Sequence, residues 1–391
     1  MKKFNKNIIV FSLVFLFLLV GVFGSGELIS KVFKETKHFI KSIPKLSSSS
    51  FDEYKNTVES ISSERLSYHD DIVNIYSVYE NLLGTRVVDK EETVVVKSKS
   101  GGLVGYLETV QYNSGEIDTV NQIKEYKELA DNNDARFLFC KVPSKALYEE
   151  LPSNVTDYSK ENYSAMVNNL ESDGVPILDC VEEFEKNNVS YNEMFFNTDH
   201  HWTPYAGFTA TRLICEYLNQ RYGFKYEKDY LDSNNYEIKQ FPDSFLGSYG
   251  KKVGLWFSWR GADDFELFTP KFNTFLTEIH NGSVEERSGE FVDTCLDMDK
   301  FVLNYYHSNL YHTYSGGTFR LQVVKNKLSN NNVKIMVIRN SFACVVTPFL
   351  SLQARELHII DDREGDYPEG EKVDVKKYIE DINPDYIVVI K

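Results

Sequence analysis

At 391 residues, with 42% hydrophobic and 26% charged side chains, the chain has an ordinary globular composition. That excludes extended disorder, collagen and a polytopic membrane protein, and the length alone suggests roughly two to three folding units. The 43 basic against 58 acidic residues leave a formal net charge of −15, so no basic surplus is available to displace counterions from a phosphate backbone and nucleic acid is not an expected partner.

Lys2, Lys3 and Lys6 precede the uncharged run from Ile8 to Gly24, the basic start and apolar core of a secretory signal or N-terminal membrane anchor. Residues 1–24 are therefore expected to export the rest, which would be extracytoplasmic, membrane-anchored or secreted. No A-x-A pattern marks a cleavage point around Gly24-Ser25-Gly26, which favours an uncleaved anchor. Residues 25–88 read as a stalk, with a Ser47–Ser50 tract, and a loosely helical segment within Phe51 to Leu83.

From 89 to 391 one domain is expected. Thr93–Val96 begins strand-type sequence and Gly101–Tyr106 suggests a hairpin. The pattern then alternates: a helix over Val120–Asn133 before a strand Arg136–Val142 ended by Pro143, and a helix from Tyr158 through Leu170 before a strand Val175–Asp179. A third unit places a helix over Phe319–Leu328 before a strand Val333–Ile338, and further strands fall at Glu356–Ile360 and Asp385–Ile390. Short apolar strands alternating with helices imply a three-layer α/β fold with a mostly parallel sheet covered on both faces. Between about 226 and 301 the alternation lapses, which marks a β-rich insertion. Five cysteines without a C-x-x-C pair specify neither a zinc site nor a full disulfide framework, and leave one bridge possible.

The densest chemistry lies in Asn197-Thr198-Asp199-His200-His201-Trp202-Thr203-Pro204. An imidazole becomes a general base when a carboxylate fixes its tautomer and stabilises the imidazolium. Two other readings stand beside catalysis: a metal site, which needs further ligands that no H-x-x-x-H or C-x-x-C supplies, and a helix cap formed by Asp199 or Thr203. A nucleophile belongs where a strand gives way to a helix, because its side chain then projects above the sheet beside unsatisfied N–H groups. Ser341, within Arg339-Asn340-Ser341-Phe342-Ala343, has that position, with the amides of Phe342 and Ala343 as candidate oxyanion donors. The competing reading is that Asn340 or Ser341 simply caps the next helix. G-x-S-x-G is absent, so an ordinary α/β-hydrolase elbow is not indicated.

The segment Thr198 to Gly207 (TDHHWTPYAG) resembles the signature of the DHHW family, relatives of the SGNH-like domain of alginate O-acetyltransferases. Lys141–Tyr148 is similar to the family's P-x-K…Y segment, Phe245–Gly250 to its central G-S segment, and Ile338–Phe342 to its nucleophile turn, where Asn340 stands in place of a frequent Asp. The resemblance spans about Val94 to the C-terminus. It implies an SGNH-hydrolase-like fold with Ser341 as nucleophile, His201 as base and Asp199 as the group that orients it. Beside these, His200, Trp202, Arg339, Asn340, Phe342 and Arg363 are candidates for binding or support, and Arg339 and Arg363 serve equally as structural ion pairs.

Resemblance further implies an exported O-acetyltransferase, without metal or other cofactor, moving acetyl through a serine ester to a hydroxyl of a cell-surface or secreted polysaccharide. Because acetyl-CoA is cytoplasmic, a membrane-bound O-acyltransferase is the implied acetyl supplier. The alternatives are a carbohydrate acetylesterase with the same residues and a non-catalytic, membrane-tethered glycan-binding or assembly protein.

Overall fold

The strand-length apolar runs pair side by side. In the computed structural model, β4 (Arg136–Lys141), β5 (Ile177–Asp179), β11 (Lys334–Arg339), β12 (Glu356–Asp361) and β13 (Tyr386–Ile390) form a parallel block in the order β5-β4-β13-β11-β12. Residues 69–90, 93–105, 114–258, 260–280, 286–363 and 373–391 are described. The expected anchor and the stalk up to residue 68 lie outside them, and no helix among the described residues is long and apolar enough to cross a membrane. The unit Ser77–Lys391 carries the sheets and the site described below.

Side chains alternate across each central strand, so the sheet feeds two cores. Phe137, Phe139, Met336, Ile338, Ile387 and Val389 share one cluster with Ile123, Leu170 and Ile379. Those last three lie on the helices Ser114–Asn132, Ser159–Ser172 and Val375–Ile382. Leu138, Cys140, Ile335, Val337, Val388 and Ile390 point the other way, toward Phe208, Ile214 and Leu218 of the helix Pro204–Tyr222. Burial on both faces explains why these strands read as continuous apolar runs, and the result is the expected three-layer α/β arrangement.

The expectation of a mostly parallel sheet needs correction, because the sheet is mixed. Beyond β12, the strands β10 (Leu321–Asn326), β8 (Leu276–His280) and β9 (Arg287–Gly289) are added antiparallel. Two of these come from the 226–301 region, so part of the insertion is built into the main sheet. Its other β structure is a separate hairpin of β6 (Tyr236–Phe245) and β7 (Asp263–Pro270). The helix expected over Phe319–Leu328 is instead β10. Gln322, Val324 and Asn326 alternate inward there, and two of the three are polar, with Gln322 bonded to Glu278 and Asn326 to the carbonyl of Leu352. Inward polar groups hide a period of two from a reading of hydrophobicity.

Ahead of the sheet, β1 (Val87–Lys90), β2 (Thr93–Lys97) and β3 (Leu103–Val104) make a small antiparallel meander, following a helix His69–Leu82. All five cysteines are buried thiols, with the Sγ atoms of Cys140 and Cys180 3.4 Å apart.

The helix Pro204–Tyr222 packs against the short 3₁₀ turn Ser341–Val345 through Gly207, where a Cβ would stand 2.4 Å from Val345 Cγ2 and 2.5 Å from its carbonyl oxygen. Backbone cannot retreat as a side-chain tip can. Gly207→Ala is expected to destabilise the fold by about 1–3 kcal/mol through overpacking, measured by urea unfolding, while lowering activity more than stability because the displaced turn carries Ser341.

Candidate active site

Thr203 caps the helix Pro204–Tyr222, its hydroxyl accepting from the Ala206 amide at 3.1 Å, with Pro204 in the first turn. Capping thus falls to Thr203 alone and leaves the Asp-His block just before it for other work. Beside it, Ser341 follows the end of β11. Asn340 caps the 3₁₀ turn by accepting from the Phe342 amide at 3.0 Å, and the Ser341 side chain is left to face the histidine.

These two segments meet in one line of hydrogen bonds. Ser341 Oγ lies 2.7 Å from His201 Nε2, and His201 Nδ1 lies 2.6 Å from Asp199 Oδ1. The Asp199 carboxylate also accepts from the amide of His201 at 2.9 Å and, through Oδ2, from the amide of Ser248 at 2.6 Å. Since an ionised carboxylate only accepts, Nδ1 of His201 carries the proton and Nε2 presents a lone pair to Ser341. Burial works against the charge on Asp199, but His201, His200 and the Ser248 amide together hold its carboxyl well below the usual range. The arrangement could prepare a hydroxyl for attack, with nucleophile, base and orienting anion in sequence.

The surrounding groups are committed to that line. His200 lies beside His201 with ring centroids 3.7 Å apart and its Nδ1 2.9 Å from Ser248 Oγ. Burial takes its pKa down to about 4, so it is neutral near pH 7. Ligand atoms of Asp199, His200 and His201 all lie within 4.8 Å, close enough for a metal. Yet both His201 nitrogens and the Nδ1 of His200 are already engaged, so the donor set fits the proton path better than an ion. Trp202 is fully buried and donates from Nε1 to the Phe342 carbonyl at 2.8 Å, a brace for the turn that carries Ser341. Arg339 is fully buried too, with Nη1 3.1 Å from Cys344 Sγ and Nη2 donating to the Gly317 carbonyl at 3.3 Å. It supports the loop from within the core. Arg363 makes a two-pronged ion pair with Asp361.

One expectation fails here. The amides of Phe342 and Ala343, read as oxyanion donors, are directed at Asn340, to its side chain at 3.0 Å and its carbonyl at 3.3 Å. The cap consumes them. The Ser341 amide makes no hydrogen bond to another described residue.

Other parts of the site were invisible in the sequence. Tyr311 is fully buried, stacks on His201 with centroids 4.2 Å apart and an interplanar angle of 16°, and donates to the Phe342 carbonyl at 3.1 Å. Downstream of it, Ser315, Gly316 and Gly317 have φ of 60°, 64° and 111°. That reversal brings Ser315 Oγ onto the Cys344 carbonyl at 3.0 Å and the Gly317 carbonyl onto Arg339. Only Ser-Gly-Gly was a visible turn signal; nothing local distinguishes Tyr311 from the other tyrosines.

Residues 93–247 match the sequence model of a family described as the SGNH hydrolase-like domain of acetyltransferase AlgX. No curated protein sequence matches. Among solved structures, Bacillus cereus PatB1 with a sulfonyl adduct is 20% identical with a TM-score of 0.61, covering 77% of this chain and 95% of that one. A DHHW family protein from Eubacterium siraeum is 18% identical with a TM-score of 0.55, over 78% of this chain and 91% of that one. At these identities the likeness is one of fold. The matched segment holds Asp199 to Trp202 and ends at Gly247, short of Ser341. Over residues 93–247 the chain thus resembles the SGNH hydrolase-like domain of acetyltransferase AlgX, and its fold is similar to that of a DHHW family protein.

Proposed function

We propose that this protein is an exported O-acetyltransferase that carries an acetyl group as an ester on Ser341 and passes it to a sugar hydroxyl of a cell-surface or secreted polysaccharide. The observation that supports it most is the unbroken hydrogen-bonded line from Ser341 through His201 to Asp199. His201 Nε2 takes the Ser341 proton as Oγ attacks the acetyl carbonyl, and returns that proton to the departing group as the tetrahedral intermediate collapses to the serine ester. The acceptor hydroxyl then gives its proton to His201 while attacking the ester, and Ser341 recovers it on leaving. Asp199 stabilises the imidazolium in both halves. The unoccupied amide of Ser341 is the donor best placed to stabilise the oxyanion, in place of the two amides held by Asn340.

The family match to an acetyltransferase domain favours a sugar hydroxyl over water as the second acceptor. The basic-apolar sequence of residues 1–24 favours a site outside the cytoplasm, with acetyl delivered by a membrane-bound O-acyltransferase. No basic surplus guides an anionic polymer, so recognition rests on local contacts around Ser341.

A serine-reactive ester or sulfonyl probe is expected to label the wild type, and to fail with Ser341→Ala and His201→Ala. Asp199→Asn should cut turnover by about 10³–10⁴-fold, because the amide permits the wrong His201 tautomer. With an acetyl donor and an oligosaccharide, acetyl should appear on the sugar; hydrolysis without any transfer would make the protein an esterase, and an unlabelled wild type would make it non-catalytic. Gly247 closes over Asp199 so tightly that a Cβ would lie 2.2 Å from its Cβ and 2.6 Å from its Cα and Oδ2. Gly247→Ala should accordingly lower turnover by at least about 10²-fold through displacement of the carboxylate, measured in the same transfer assay.

A further inference from the structure

We propose that Lys145 and Asp263 are positioning residues: a buried cation and a partly buried anion that grip residues 196–199 from the carbonyl side and the amide side, and so hold Asp199 where it orients His201. This rests on the Ser341–His201–Asp199 reading above, and concerns two residues outside that line.

The segment 196–199 has no strand or helix of its own to satisfy its backbone, so its polar groups need other partners. Lys145, only 3% exposed, begins a one-turn 3₁₀ helix shortly after β4. Its ammonium has three N–H donors and spends them on three carbonyls: Phe196 at 2.8 Å, Asn197 at 3.0 Å and Asp199 at 3.0 Å. Asp263, the first residue of β7, takes the other polarity. Its carboxylate accepts from the Asn197 amide at 2.5 Å, the Thr198 amide at 2.7 Å and the Thr198 hydroxyl at 2.5 Å. Thr198 passes the constraint onward, its hydroxyl accepting from the Gly247 amide at 2.8 Å and its carbonyl from the Gly250 amide at 2.9 Å. That same turn supplies the Ser248 amide to Asp199. Apart from the two neighbouring histidines, the hydrogen bonds on Asp199 therefore trace back to this pair or to the turn it anchors.

The charges are an expensive way to gain stability, since buried ions repay their desolvation poorly compared with packed apolar groups. They are well suited to fixing geometry, because each charge-assisted bond is short and directional. No carboxylate lies within ion-pair distance of Lys145 among the described residues; its charge is met by peptide dipoles. Burial lowers its pKa to about 8, with Asp263, Asp199 and Glu149 pulling upward and Arg260 downward, while His200, the other nearby titrating group, is already neutral at that pH. As pH rises through about 8 the ammonium becomes an amine with two N–H groups for three carbonyls, and activity should fall. Stability should move the other way: the unfolded lysine, at 10.5, holds its proton where the folded one has lost it, so between about 8 and 10 this group makes folding more favourable as pH rises. A merely structural role would not separate the two.

The test follows probe labelling of Ser341 in the full chain from pH 6.5 to 9.5, alongside thermal unfolding. Wild type is expected to lose rate above pH ~8 without losing Tm. Lys145→Met and Asp263→Asn should each label about 10²-fold more slowly at pH 7, with the alkaline loss gone from Lys145→Met, and the double variant should be no slower than the worse single because both release the same segment. Wild-type rate and pH profile in a folded Lys145→Met would overturn the proposal. Should that variant not fold, an Asp263→Asn rate within about threefold of wild type, or a wild type with no alkaline loss, would overturn it. Labelling that persists in Ser341→Ala would instead overturn the nucleophile reading, and the proposal with it.

Discussion

A carboxylate taken out of water must be paid back in hydrogen bonds, and that requirement on Asp199 governs the architecture around the site. It is 3% exposed, and its oxygens are met by the ring and amide of His201 and by the Ser248 amide. To bring Ser248 there, the chain must pass so close that only glycine fits at 247. To keep the carboxylate ionised, His201 must offer Nδ1–H, which leaves Nε2 to face Ser341. One buried charge thus dictates a glycine, a backbone amide and a tautomer.

The sheet then decides what that charge can act on. Asp199 to His201 precede the helix on one face, while Ser341 leaves the carboxyl end of β11 in the middle of the parallel block, the position where α/β sheets present their reactive side chains. Gly207 lets the helix settle against the turn that carries Ser341, and Trp202 and Tyr311 both bond the Phe342 carbonyl. The turn is therefore braced from two elements distant in sequence, and Arg339 and Ser315 hold it from beneath. Rigid support of this kind is what keeps a hydroxyl and an imidazole in register for proton transfer.

Much of this was legible in the residues. The central strands announced themselves because burial on both faces demands apolar runs, and the Asp199-His200-His201 block stood out because its chemistry is concentrated in one short segment, whereas the choice of His201 and of Ser341 followed from the family resemblance. Where the reading went wrong, polarity pointed inward. Gln322 and Asn326 disguised β10 as a helix, and the antiparallel extension by β8 and β9 depended on pairings between segments that carry no mutual signal. Asn340 matched a cap as well as a nucleophile turn, and it does cap; in doing so it removes the two amides that the sequence offered as oxyanion donors.

The sequence by itself determined the layered α/β class, because periodicity is a local property; it offered Asp199, His201 and Ser341 as a set only through the family resemblance, since their local chemistry fits a cap as well. Tertiary structure alone decided that these residues meet, that Arg339 is a buried brace, and that Tyr311, Asp263 and Gly247 belong to the site. Each of those depends on distance between segments far apart in the chain, and buried polar groups choose their partners only when the fold has removed the water that would otherwise satisfy them.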